Sequence, residues 1–165
     1  MTISRRERRW RVTLVIALLI AAHFYVRPWL GSRVAPDLLL LAMMLVAIRS
    51  RPGTAAVVGF LIGLTTDVLT PARFGAGALA HTVVGYLAAW GRAVFFPDNL
   101  IVNAGLFAAG VWARNLIVLL ASGAAPGEMM SSLLLWSTLQ AITTALVGVV
   151  VVVMFRNWLA IRLDE

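Results

Sequence analysis

The sequence predicts an all-α integral membrane protein with six transmembrane helices, and three observations carry that prediction. First, 61% of the 165 residues are hydrophobic and only 13% are charged, with a mean hydropathy of +0.92. Soluble domains run at roughly 45–50% apolar and about 25% charged, so no soluble core could bury this surface and no charged shell could cover it. Second, the apolar residues form continuous runs rich in Ala, Leu and Gly, not the alternating segments of ~10 residues that build a membrane β-barrel. Third, all fourteen basic residues are arginine, and all but Arg114 stand at the ends of these runs. That placement is a topology signal, not the single basic face of a nucleic-acid binder. Six spans at ~20 residues each use roughly 120 residues, which leaves no room for a separate soluble catalytic domain. With no cysteine there is no disulfide, thiolate nucleophile, iron–sulfur cluster or Cys-based zinc site.

The elements follow in order along one transmembrane domain. Residues 1–11 form a basic head, and the first span covers about 12–26, ending at Arg27-Pro28. The second, about 34–48, opens with Pro36-Asp37. Proline there loses no needed hydrogen bond, and the carboxylate meets the positive end of the helix dipole. Arg49-Ser50-Arg51-Pro52-Gly53 breaks the chain before the third span, about 54–69, and Thr70–Phe74 separates that from the fourth, about 75–90. Pro97 marks the break before the fifth span, about 99–122, because it cannot continue a helix. The loop Gly123–Glu128 leads to the sixth, about 129–155, and a tail of 156–165 follows. Several runs are shorter than ~20 residues, so short or tilted helices are expected.

Six spans put both termini on one side. With the head in the cytoplasm, Arg5, Arg6, Arg8, Arg9, Arg11, Arg49, Arg51, Arg92, Arg156 and Arg162 are cytoplasmic, and only Arg27, Arg33 and Arg73 are outside. This asymmetry follows the positive-inside rule for short loops. A five-span reading breaks it. The basic head and first run also have the outline of a signal peptide, but no clear A-x-A site follows them. The head arginines can in addition touch anionic lipid.

A charge at membrane depth costs ~2.5–3.5 kcal/mol on insertion scales and raises a functional question by default. At ~1.5 Å per residue, Asp67 lies about 20 Å and Arg114 about 22 Å from the cytoplasmic starts of their spans. His81 falls near the same level, and Asp37 opens the second span from the outside. One expectation is therefore a polar cluster centred on an Asp67–Arg114 pair, lining a cavity or a partner contact. The plainer expectation is a structural ion pair that locks helix packing, with His81 as a neutral hydrogen-bonding neighbour. Catalysis is disfavoured: no metal set, no nucleophile turn and no convincing pair of carboxylates at a shared site can be argued. No cofactor is expected.

Small residues line the third span at Ala56, Gly59 and Gly63, leading to Thr66-Asp67, and the fourth at Gly77, His81, Gly85 and Ala89. Such small-xxx-small stripes let backbones approach closely, and here they point to internal packing before dimerisation. Asn103, Gly110 and Arg114 share a face of the fifth span; Ser132, Trp136, Gln140 and Thr144 share one of the sixth. Both faces should turn inward, because polar groups facing lipid would go unsatisfied. Trp10, Trp29, Trp90 and Trp158 sit at the predicted interfaces as anchors.

Across Pro36–Trp90 the chain reads P-D-L-L-L-L, a short Arg/Pro/Gly break, G-F-L-I-G-L-T-T-D-V-L, a short loop, and F-G-A-G-A-L-A-H-T-V-V-G-Y-L. This order resembles the MreD family of the bacterial rod-shape system, with Pro36, Asp37, Gly59, Gly63, Asp67, Gly75, Ala78, Leu79, Gly85 and Tyr86 as the matching positions. Phe74 stands where leucine is usual. The resemblance implies a non-enzymatic inner-membrane scaffold that partners an MreC-like protein. Through that protein it would reach the MreB filament indirectly, together with RodA and a class-B penicillin-binding transpeptidase. It also implies likeness to the six-helix S components of energy-coupling-factor transporters. The alternative function is therefore a small-molecule-binding membrane subunit, against which the short outer loops count. Membrane lipid is an expected partner; nucleic acid is not.

Overall fold

The structure is a computed structural model that describes residues 5–30, 34–91 and 99–159. Arg33, Arg92 and Arg162 of the charge-asymmetry reading, and the Pro97 break, lie outside the described residues.

The regular structure among the described residues is all helical, in the order α1 (Arg5–Leu30), α2 (Leu38–Ala47), α3 (Pro52–Val68), α4 (Ala76–Gly91), α5 (Leu100–Ala121), α6 (Pro126–Ser131) and α7 (Thr138–Leu159). A 3-10 turn, Pro71–Arg73, precedes α4. A π-helical turn, Ser132–Ser137, joins α6 to α7 without a break. The six apolar runs thus become six helical rods. Two of them, Leu100–Ala121 and Pro126–Phe155, are long and apolar enough to cross a membrane.

Several ends differ from the expected ones, each for a local reason. Much of the basic head is helical, since α1 begins at Arg5 and continues past Pro28 to Leu30; a proline in the last turn removes a single ladder bond. Both α3 and α6 start earlier than the apolar residues suggest. Pro52 and Pro126 occupy first-turn positions, where the missing N–H would have no partner anyway. At the end of α5, Gly123 adopts φ +65°. There Ala124 N–H donates to Leu119 O and Gly123 N–H to Leu120 O, both at 3.2 Å, the paired bonds of a Schellman cap.

The largest difference is α2. Only ten residues of the expected 34–48 run are helical, about 15 Å of rise, and Val34–Asp37 is not helical. Proline at 36 disfavours the helical region at Ala35, and the Asp37 carboxylate then caps the helix by accepting from Leu40 N–H at 3.1 Å. A helix apolar on every side is a buried helix. From Leu39 through Leu45 its side chains are at most 1% exposed, and α1, α3, α4, α5 and α7 all pack against it. The apolar core is built around this central helix, with Val15, Val84, Phe107, Val111 and Ala145 among the residues closing on it.

Helices α3 and α4 pack as the closest pair. A Cβ on Gly63 would sit 2.5 Å from Ala78 Cα, and one on Gly85 would sit 2.7 Å from Ala55 O, distances that real Cβ atoms do not show. A Cβ on Gly59 would fall on the His81 carbonyl oxygen. The buried stripe of α3 is Ala55, Gly59, Gly63 and Asp67, so it starts one residue earlier than the Ala56 stripe expected. The outside of the bundle carries Leu18, Phe60, Leu61, Leu87, Leu146 and Met154 exposed, while His23, Asp37, Asp67, His81, Ser137, Gln140 and Thr144 are buried. This inverted polarity suits a chain whose surroundings cannot satisfy hydrogen bonds.

Candidate functional site

The buried polar residues gather at one end of the bundle, where α1 ends, α2 and α4 begin, and α3 and α5 end. Two acids organise this end by different means.

Asp37 is 1% exposed. Its Oδ2 accepts from Arg114 Nη2 on α5, its Oδ1 caps Leu40, and His23 Nδ1 on α1 lies 3.9 Å from that Oδ1. Its backbone N–H donates to Thr144 Oγ1 on α7 at 2.9 Å. The non-helical segment before it is satisfied in the same way. Thr143 Oγ1 donates to Val34 O at 2.8 Å, and Gln140 Nε2 donates to Ala35 O at 3.2 Å. Non-helical backbone inside such a bundle is tolerated only where protein groups satisfy it, and one stripe of α7 supplies those groups. Asn115 Nδ2 on α5 extends the network to Ser137 Oγ at 3.1 Å and Gln140 Oε1 at 3.0 Å.

Asp67, the last buried residue of α3, caps a neighbouring helix. Its Oδ2 accepts from Gly75 N–H at 3.0 Å and Ala78 N–H at 2.8 Å, and its Oδ1 accepts from Gly77 N–H at 2.8 Å. Three orphan donors of the α4 N-terminus are thereby satisfied by one carboxylate set at the positive end of the helix dipole. The arrangement requires glycines. Gly75 has φ +94°, which L side chains rarely adopt, and a Cβ on Gly77 would strike Asp67 Oδ1. One turn on, His81 is 1% exposed. Its Nδ1 lies 2.8 Å from Gly77 O, while its Nε2 has no hydrogen-bond partner among the described residues.

The expected Asp67–Arg114 pair is therefore corrected: Arg114 pairs with Asp37. A continuous helix over 34–48 would put Asp37 at the outer surface. The non-helical Val34–Pro36 segment instead carries the start of α2 into the bundle, to the level of Arg114. Of the other singled-out residues, Pro36 is half-buried in that segment, Gly59, Gly63 and Gly85 form the α3–α4 contact, and Tyr86 is exposed on α4 away from the polar groups. Sequence reasoning gave His23 no role at this site, although an ionisable residue inside an apolar run was the available signal.

Two cavities open beside these residues, of about 190 Å³ and about 390 Å³, with Arg73, Arg114 and Val118 in the walls of both. Arg73 faces Glu128 of α6 at 3.8 Å. Among the described residues no group of three or more His, Cys, Asp or Glu could hold a metal ion. The Asp67 oxygens receive backbone donors, and those of Asp37 receive backbone and guanidinium donors. Chemically, the arrangement holds helices in register.

Compared with known proteins, the chain matches the family described as rod shape-determining protein MreD over residues 4–162. No curated protein and no solved structure matches it.

Proposed function

The chain belongs to the MreD family of rod shape-determining proteins, a membrane protein family, and from that premise we propose that it is a non-enzymatic scaffold of the bacterial elongation machinery. In this reading it crosses the inner membrane six times with both termini in the cytoplasm. It docks an MreC-like protein, and so links an MreB filament, indirectly, to RodA and a class-B penicillin-binding transpeptidase in lateral wall synthesis. The observation that carries the proposal is the family match over residues 4–162. Two features support it. The arginine asymmetry favours cytoplasmic termini, and the buried acids Asp37 and Asp67 are engaged in holding helices, as a scaffold requires. Depleting the protein in the cell that makes it is the test: rod-shaped cells should round up and lateral wall incorporation should fall. Unchanged rods after depletion would reject the role.

A second reading has one observation in its favour. The two cavities fit a small-molecule-binding subunit akin to the S components of energy-coupling-factor transporters, which would co-purify with an ATPase module and a retained ligand.

A further inference from the structure

The wider cavity, of about 390 Å³, has charges of both signs in its wall: Arg73, Arg114 and Glu128. Arg114 is matched by Asp37, which leaves Arg73 and Glu128 at the rim. Arg73 stands in the 3-10 turn between α3 and α4, and Glu128 in the first turn of α6. Connections between spanning helices lie at the level of the polar headgroups. The two side chains are 43% and 58% exposed, and at 3.8 Å the pair is beyond hydrogen-bond length. An exposed pair of this kind contributes little, so each partner can turn to a ligand at small cost.

A plain anion at this rim would gain Arg73 and meet the Glu128 carboxylate, and a plain cation would meet the reverse. A zwitterion satisfies both. The planar guanidinium can hold a phosphate with two parallel N–H donors, and the carboxylate accepts from an ammonium. The surroundings select the source of such a molecule. Phe74 follows Arg73, and Met130 and Leu134 follow Glu128 along the α6–α7 rod, all three exposed, while no residue of α6 is buried. Exposed apolar side chains beside a charged rim at headgroup level are covered by acyl chains, which a water-soluble zwitterion lacks.

We propose that the Arg73–Glu128 rim of the wider cavity binds a phospholipid with a primary-amine headgroup, of the phosphatidylethanolamine type. The phosphate receives the Arg73 N–H groups, the ammonium donates to Glu128, and the acyl chains run over Phe74, Met130 and Leu134. The site rests on the chain's lying in a membrane and not on its protein partners, so its failure would leave the scaffold role untouched.

The full-length protein in mild detergent is titrated with phosphatidylethanolamine, phosphatidylcholine and phosphatidylglycerol of identical acyl chains, and followed by native mass spectrometry. Phosphatidylcholine keeps both charges but has no N–H to donate, and phosphatidylglycerol lacks the cation. Phosphatidylethanolamine should bind about fivefold more tightly than either, the worth of one hydrogen bond to a charged group at an exposed rim. Glu128→Gln should bring that preference below about twofold, and Arg73→Gln should weaken phosphatidylethanolamine itself about fivefold, each variant checked for unchanged melting temperature. Arg51→Gln, at the opposite end of α3, should change neither. Free phosphoethanolamine should compete at least about tenfold more weakly than the lipid, for want of acyl chains. Equal binding of the three lipids, a preference that survives Glu128→Gln, an affinity untouched by Arg73→Gln, an equal loss in Arg51→Gln, or free phosphoethanolamine competing as well as the lipid overturns the proposal.

Discussion

Replacing Asp67 by Asn removes a charge while keeping the shape, so its cost can be worked from three hydrogen bonds. The Asn carboxamide can place its oxygen at the Oδ2 position and keep the Gly75 and Ala78 donors, found at 3.0 and 2.8 Å. Its NH2 group then faces Gly77 N–H, which donates to Oδ1 at 2.8 Å in the native chain. One buried N–H is left without an acceptor, at about 1–3 kcal/mol. Loss of the anion from a buried helix N-terminus adds about 0.5–2 kcal/mol. Together these predict a loss of about 2–4 kcal/mol, or about 5–15 °C in melting temperature for a chain of this length. Thermal unfolding of the detergent-purified protein measures the total. Hydrogen exchange locates it: the Gly75, Gly77 and Ala78 amides should exchange at least about tenfold faster, while the amides of α7 should hold their protection. A melting temperature within 1–2 °C of wild type (~0.5 kcal/mol), with those three amides still protected, would refute the capping role.

Other expectations follow from the same geometry. Arg114→Leu leaves Asp37 as a buried uncompensated charge and should cost about 3–5 kcal/mol; in an Asp37→Asn background the same change should cost clearly less, and purely additive losses in a double-mutant cycle would reject direct pairing. Gly63→Ala should destabilise by at least about 2 kcal/mol, because its Cβ would meet Ala78 Cα at 2.5 Å. Gly105→Ala, with open space around it, should be neutral or stabilising by up to about 1 kcal/mol in the same melts. Because the chain has no cysteine, single cysteines introduced at Ser50 and at Ala72 report topology: the first should react with an impermeant thiol reagent only after the inner membrane is opened, the second from outside.

Each apolar run could be read because a membrane-type helix announces itself by composition alone. The Gly59/Gly63 stripe was legible because close approach excludes side chains. Depth was not legible for Asp37. Its position depends on where helix starts within the 34–48 run, and that is decided by Pro36 together with Gln140, Thr143 and Thr144, residues more than a hundred positions away. The partner of Arg114 was not legible for the same reason: the partly extended run before α2 brings Asp37 to the height of Arg114, while the Asp67 oxygens are taken by backbone donors of α4. Asp67 was legible as a buried acid but not as a cap. Its three donors belong to the next helix, and only the positive φ of Gly75 brings them onto one carboxylate. The π turn at Ser132–Ser137, inside the expected sixth span, carries no composition signal, and the rod's early start at Pro126 takes in residues that read as loop.

Affinity purification of the tagged, full-length protein from native membranes, followed by mass spectrometry, tests the scaffold claim most directly. The account predicts an MreC-like protein together with RodA and a class-B transpeptidase, retained by wild type and reduced in the Arg114→Leu variant. Recovery of an ATPase module in their place would contradict it.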